Sequence, residues 1–318
     1  GAGANVDRIE IIIVDDGSVR DDTAARADSW AERLPDVVKA LHQENAGHGG
    51  AVNTGLAAAS GTWFKVVDAD DWLDCGSLDV LLKDLIRFEQ NNTAVDMVIA
   101  NYVYEKVEEG KRTPIRYTGI LPEGRVFGWG DIGRFKPSQN LLMHAVVYRT
   151  GLLRDIGLKL PEKTFYVDNI FVYVPLPAVE RIYYLNVDLY RYYIGRADQS
   201  VNQQIMVNRI EQQLRITRIM IDAFHLQTDV AEPRLRSYMM QYLAMMLTIC
   251  SVFLRLSNRF DAEERRREIW AYLKENDPQT YPRLRRSAIG LLANLPGKPG
   301  EAITIAGYTV ARKLFRFN

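Results

Sequence analysis

Trp63-Phe64-Lys65-Val66-Val67-Asp68-Ala69-Asp70-Asp71-Trp72 sets three carboxylates at the end of a short apolar run that reads as a buried strand. Like charges a few ångströms apart raise one another's pKa, and they stay ionised together only when something positive sits among them. A hard divalent cation meets that need. Carboxylates select Mg²⁺ or Mn²⁺, and Mg²⁺ keeps one or two protein carboxylates while water and substrate phosphates fill its other positions. The stretch therefore anticipates a diphosphate. The plainer alternative is a turn in which Asp caps the next helix, a common use of Asp-rich tripeptides after strands.

A second acidic strand end lies upstream. Ile9-Glu10-Ile11-Ile12-Ile13-Val14 is a β-branched run of buried parallel-strand type, closed by Asp15-Asp16-Gly17-Ser18. Ligands of open α/β sheets bind at the carboxyl ends of the strands, so two acidic ends separated by helical sequence can converge on one crevice. Between them runs Asn45-Ala46-Gly47-His48-Gly49-Gly50-Ala51-Val52-Asn53-Thr54-Gly55-Leu56, a glycine-rich turn leading into an alanine-rich helix. Glycines let backbone amides approach an anion, and the helix N-terminus adds partial positive charge. A dinucleotide-binding turn fits less well. It needs glycine where Val52 stands, Val37 to Gln43 is a weak preceding strand, and Asp70 and Asp71 are left without a role.

These three segments, in this order and spacing, resemble the family 2 glycosyltransferases of the GT-A fold. The likeness continues more loosely through Tyr166-Val167-Asp168-Asn169 and Tyr190-Arg191-Tyr192-Tyr193. It implies an α/β domain, Rossmann-like, with a mostly parallel sheet flanked by helices, over residues 1–200, followed by a helical C-terminal extension over 201–318. Two departures stand out. Members usually begin with an apolar strand ending in Pro-x-Tyr-Asn, and the chain opens instead at Gly1-Ala2-Gly3-Ala4, so that strand is expected to be missing from the sequence as given. Many relatives also carry Arg where Val52 stands; His48 or backbone amides are the expected substitutes.

Composition suits a soluble enzyme. A chain of 318 residues with 47% hydrophobic residues can bury a full core, and its formal net charge of zero gives no reason to expect nucleic acid. Cys75 and Cys250 are too few for a disulfide framework and read as reduced, packed thiols. Apolar periodicity predicts a helix over Ser77 to Gln90, strands over Asp96 to Tyr104 and Ile182 to Val187, and loops over 105–140, where acceptor-binding loops can lie. Leu141 to Tyr148 and Phe171 to Val174 are strand or helix candidates, and the pattern turns helical from Asn202. The long run from Leu235 to Leu256 is nearly long enough to cross a bilayer, but Gln241, Thr248 and Ser251 interrupt it and a buried core helix is the preferred reading. From Arg283 to Asn318 the basic residues Arg283, Arg285, Arg286, Lys298, Arg312, Lys313 and Arg316 face only Glu301, with apolar residues from Ile303 to Phe317 beside them. Such a tail can lie on an anionic membrane face or pack on its own domain.

The resemblance assigns roles. Asp168 is the expected base for an inverting transfer, because its segment resembles the family's Tyr-Glu-Asp-Ile, with Val167 in place of the Glu. Asp70 is the expected principal ligand of Mg²⁺ or Mn²⁺, with Asp68 shared between metal and ribose and Asp71 in support. Asp15, Asp16, Gly47, His48, Gly49, Asp68, Arg191 and Arg196 are candidate contacts to the nucleotide sugar, and His144 is a candidate acceptor or diphosphate contact. The expected activity is transfer of a sugar from a nucleotide-diphosphate donor to a hydroxyl of a cell-surface or lipid-linked glycan, in the cytoplasm or at the inner membrane face. A nucleotidyltransferase using the same metal, and a non-catalytic module that binds the nucleotide sugar, are the alternatives.

Overall fold

The computed structural model describes residues 7–136, 139–194 and 203–315. By its internal contacts the chain divides into two compact units, Gly1–Gly133 with Leu141–Tyr193, and Arg134–Asn140 with Ile194–Asn318.

The first unit is α/β. Its elements are β1 (Ile11–Asp15), α1 (Thr23–Arg33), β2 (Val38–His42), α2 (Gly47–Ala58), β3 (Trp63–Phe64), β4 (Trp72–Leu73), α3 (Cys75–Gln90), β5 (Met97–Lys106), β6 (Lys111–Ile115), β7 (Val126–Phe127), β8 (Val146–Arg149), α4 (Thr150–Asp155), α5 (Asp168–Tyr173) and β9 (Ile182–Tyr193). The β-branched run of β1 pairs in parallel with β2, from Ile11 opposite Val38 to Asp15 opposite His42. The segment read as a weak strand is a full partner. The larger sheet runs β3-β8-β5-β9-β4, with β6 added to β5 and β7 to β9. It is mixed, not mostly parallel: β5 and β9 run parallel, whereas β3–β8, β5–β8, β4–β9, β5–β6 and β7–β9 are antiparallel. Short apolar runs carry no signal of strand direction, which explains the difference.

Helix α3 starts where Asp74 accepts the amide of Ser77 at 3.0 Å, and lays Leu81, Leu85 and Phe88 on one face of the sheet. There they meet Val98, Val147, Tyr183 and Leu189, and the ring of Phe88 meets Tyr183 edge-on at 4.9 Å. The segment read as loop contains a hairpin. Gly110, with φ of 61°, turns β5 into β6. Pro114 is accommodated because β6 pairs on one side only. β9 runs past Val187, where the apolar alternation stops, as far as Tyr193, and this extension carries Tyr190 and Tyr192.

The second unit is helical among its described residues: α6 (Gln203–Asn208), α7 (Ile210–Ala223), α8 (Leu226–Asp229), α9 (Pro233–Leu256), α10 (Ala262–Asn276), α11 (Tyr281–Arg286), α12 (Ala288–Ala293) and α13 (Gly297–Phe315). α9 is its core. Pro233 occupies the first turn, Glu232 caps it by accepting the amide of Arg234 at 3.1 Å, and residues from Leu235 to Leu254 pack against α7, α10, α12 and α13. The polar residues that interrupt its apolar run are satisfied internally: Ser251 donates to the Leu247 carbonyl at 2.8 Å and accepts from Trp270 at 3.2 Å. Although α9 is long and apolar enough to cross a membrane, 67% of its most apolar window is buried inside the protein. Cys250 is buried on it beside Thr217; Cys75, expected to be packed, is exposed at the start of α3.

Candidate active site

The turn after β3 sorts the three carboxylates. Asp71 donates its amide to the Asp68 carbonyl at 3.0 Å, which closes a turn that brings the side chains of Asp68 and Asp71 to one side. Asp70, the expected principal ligand, is exposed and stands outside the resulting group. The third member is His144, from the short turn before β8: ligand atoms of Asp68, Asp71 and His144 all lie within 4.8 Å of one another. His144 Nε2 is 3.5 Å from Asp68 Oδ2 and 3.8 Å from Asp71 Oδ2.

Each member is fixed from β9. Tyr190 donates its hydroxyl to Asp71 Oδ2 at 2.7 Å and accepts the Asp68 amide at 3.1 Å, and the Tyr193 amide donates to Asp71 Oδ1 at 2.8 Å. The His144 ring stacks on Tyr192 at 4.3 Å and meets Tyr190 edge-on at 4.6 Å. Alternation along the strand sends Arg191 the other way, to Glu105 at 3.0 Å and Asp74 at 3.1 Å, so this candidate diphosphate contact is not brought to the carboxylate group. Arg196 lies outside the described residues.

The second acidic strand end joins through α2. Asp16 accepts from the Gln43 side chain and from the amides of Ala46 and Gly47 at 2.7 to 2.8 Å, holding the start of the helix. His48 then reaches over with Nε2 3.2 Å from Asp68 Oδ1. Asp15 is buried below, accepting from the Ser18 amide and in contact with His42 Nδ1, both at 3.0 Å. The glycines serve the chain's own backbone. Gly47 has φ of 76°, and a Cβ on Gly49 would stand 2.3 Å from the Pro161 carbonyl oxygen. The loop they admit is locked by Lys163, whose amide donates to Ala46 at 2.6 Å, and by Asn53, which exchanges hydrogen bonds with Leu160 at 2.8 and 2.9 Å. Gly47 and Gly49 thus seat the segment leading to Asp168, where the sequence suggested anion contact.

Asp168 opens α5 and is half-buried. Burial raises its pKa, the positive fields of His48 and His144 pull it down, and the Asp68 carboxylate raises it; the net direction is up. Burial also disfavours charge on His48, but Asp68, with Asp168 and Asp16 beyond it, more than offsets this and leaves its pKa raised. Asp68 is resisted by burial yet held well below the usual carboxylate range by His144 and His48. Asp71, desolvated beside Asp68, is pushed up to about 6 despite its hydrogen bonds from Tyr190 and Tyr193.

Lys65 was not singled out by the sequence reading. Its ammonium donates to the His144 carbonyl at 2.8 Å and lies 4.8 Å from the centre of the Tyr190 ring. Burial lowers its pKa to about 7, against the pull of Asp68 and Asp71. Its position three residues before Asp68, within an apolar run, was the available signal.

Both ring nitrogens of His144, and Nε2 of His48, are buried without a hydrogen-bond partner among the described residues. An unpartnered imidazole nitrogen between two carboxylates is a donor set that suits a divalent cation of the Mn²⁺ or Mg²⁺ kind. The protein is thus a GT-A-type α/β fold with an acidic cluster and imidazoles at its strand ends. Residues 4–151 match Glycosyl transferase family 2.

Its relatives agree. EpsH of Bacillus subtilis (strain 168) is 32% identical over 143 residues, 41% of this chain and 39% of that protein. Glycosyltransferase GlyA of Streptococcus pneumoniae is 27% identical over 208 residues, 60% of this chain and 27% of GlyA. The chain therefore spans well under half the length of these curated relatives. Succinoglycan biosynthesis protein ExoU of Rhizobium meliloti is 31% identical over 169 residues, 50% of this chain and 47% of ExoU. In fold the chain matches S. aureus TarS 1-349, crystallised in complex with UDP-GlcNAc, with a TM-score of 0.65 at 19% identity, over 98% of this chain and 83% of that one.

Proposed function

We propose that this protein transfers a sugar, with inversion, from a nucleoside-diphosphate donor to a hydroxyl of a glycan or lipid-linked glycan. The observation that supports it most is the convergence, in a family 2 domain, of Asp68, Asp71 and His144 with Asp168, whose carboxyl is held near them with a raised pKa. Asp68, Asp71 and His144 would hold the divalent cation, which supplies positive charge against the negative charge that builds on the departing diphosphate.

The remaining chemistry belongs to side chains. The acceptor hydroxyl gives its proton to Asp168 as its oxygen bonds to the anomeric carbon, and the bond from that carbon to the diphosphate oxygen breaks, its electron pair leaving with the nucleotide. A carboxylate whose pKa burial has raised toward neutrality is the better base for that step. His48, whose pKa Asp68 raises, adds positive charge close to the group that leaves when it is protonated. The name of ExoU, which speaks of succinoglycan biosynthesis, favours a polysaccharide or its lipid-linked precursor as acceptor.

The test is a panel of nucleoside-diphosphate sugars, UDP-N-acetylglucosamine among them, incubated with Mn²⁺ and a mixture of lipid-linked acceptors. Release of nucleoside diphosphate with sugar appearing on the acceptor is the expected result. Release of inorganic pyrophosphate would make the protein a nucleotidyltransferase, and donor binding without turnover would make it a binding module.

A further inference from the structure

The last two helices present an apolar face to solvent. In α13 the positions turned inward are Gly300 and Thr304, both buried, and Tyr308, whose ring meets Phe253 edge-on at 5.5 Å. The opposite positions, Pro299, Ala302, Ile303, Ala306, Gly307 and Val310, are all exposed, and none is polar. Their spacing of three and four residues makes one continuous stripe. Helix α12 adds exposed leucines of its own. Thr304 donates to the Leu292 carbonyl at 2.8 Å, and Leu291 and Leu292 are 51% and 48% exposed, as Ile303 is 51% and Val310 56%. A water-facing helix ordinarily carries charged residues on this side.

The corner is held rigidly. Arg255, buried on α9, donates to the carbonyls of Leu295 at 2.7 Å and Gly300 at 3.3 Å, to the hydroxyl of Thr304 at 2.5 Å and to Glu263 at 2.8 Å. Arg266 holds Asn294 at 2.8 Å and the Ala293 carbonyl at 3.4 Å. With their linker carbonyls tied to α9 and α10, α12 and α13 cannot roll their apolar side chains inward without breaking charge-assisted hydrogen bonds.

Charge decides what the face receives. Arg283, Arg285 and Arg286 precede α12 and Lys298 follows it, while Glu301 is the sole acid between residues 283 and 310. A symmetric contact with a second copy would bring the same basic residues to the face with no acid beyond Glu301 to neutralise them. An anionic lipid surface neutralises them and takes up the leucines and isoleucine together. We propose that the α12–α13 face seats the protein on an anionic membrane surface, the apolar stripe entering the headgroup boundary and the basic residues meeting lipid phosphates.

This assignment stands apart from the transfer reaction, and its test needs no substrate. The full chain is cosedimented with vesicles of phosphatidylcholine alone and with added phosphatidylglycerol. Strong, salt-sensitive binding to the anionic vesicles is expected. The paired substitution Leu292→Glu with Ile303→Glu should abolish it, and Arg283→Gln with Arg286→Gln should weaken it about thirtyfold, two basic residues' worth. All four side chains are exposed, so circular dichroism and the melting temperature should not move. Equal binding by the variants, or no binding of the unmodified chain to either vesicle, overturns the proposal. So does a concentration-dependent dimer, seen by light scattering and lost in the Leu292→Glu, Ile303→Glu pair, which would give the face to a second copy.

Discussion

The hydroxyl of Tyr190 stands 2.7 Å from Oδ2 of Asp71, on a strand remote in sequence from the acidic turn, and it donates while accepting the amide of Asp68. One phenol thus fixes the spacing of two carboxylates and leaves the third outside. A metal-binding difference between the three aspartates follows. Asp68→Asn and His144→Ala should remove Mn²⁺-dependent stabilisation, which for the unmodified protein at a hundred times its dissociation constant amounts to about 2.7 kcal/mol. Asp70→Asn should retain most of it, because Asp70 is exposed and outside the group. Melting with and without Mn²⁺ reads this directly, and a selective loss in Asp70→Asn would return the metal to the ligand set expected from sequence.

Asp168→Asn separates base from binding. The amide keeps the shape of the side chain and cannot take a proton, so turnover should fall roughly 10²–10⁴-fold while donor affinity changes little. Single-turnover kinetics and donor titration give the two quantities separately. A collapse of donor affinity would instead make Asp168 part of the nucleotide site, where its closeness to His48 and Asp68 would then act on the ground state.

Much of this was legible because the decisive residues are local. A β-branched run ending in Asp15-Asp16, a glycine turn and the Asp68–Asp71 cluster mark strand ends whatever surrounds them. The α/β class, the helices α3 and α9 and the strand β5 follow from apolar period alone. What sequence hid was long-range. His144 reaches Asp68 only because the turn before β8 is buried beside β9, and a lone His carries no sign of its partners. Arg191 looked like an anion contact, but one step along a strand reverses the side chain, and it reaches Glu105 and Asp74 instead. The glycines of α2 were read as letting backbone amides approach an anion, and the structure shows that a Cβ there would meet Pro161 and Lys163. Glycine announces a close approach without saying by what.

That last point can be measured on stability alone. Gly49→Ala would put a methyl group 2.3 Å from the Pro161 carbonyl oxygen, a backbone atom that cannot swing aside, so the loop leading to Asp168 must shift. A loss of about 1–3 kcal/mol is expected, as for other overpacked sites. Gly61→Ala is the matched control: its nearest contact would be the Trp63 carbonyl oxygen at an ordinary 3.6 Å, and its stability should change by less than about 1 kcal/mol. Urea unfolding of the two variants decides it, and equal stability would mean that the 160–163 loop gives way freely.

The Asp15–His42 pair sets a pH dependence of its own. His42 holds the Asp15 carboxyl down at about 2, with help from Ser18, and Asp15 followed by Asp28 raises the His42 pKa above its ordinary value of 6.5. The two contributions have opposite signs of dependence. Asp15, depressed on folding, stabilises above its unfolded value of 3.8, and this is lost as pH falls through about 2. His42, raised on folding, stabilises fully below 6.5 and loses that contribution as pH rises through its higher folded value. Both are present together only between about pH 4 and 6.5. Replacing His42→Asn should therefore cost most stability near pH 5.5, and less at pH 2.5 and at pH 9. Denaturation midpoints of the two proteins at these three values test it, and a cost that does not vary with pH would show that His42 contributes packing and neutral hydrogen bonds instead of charge.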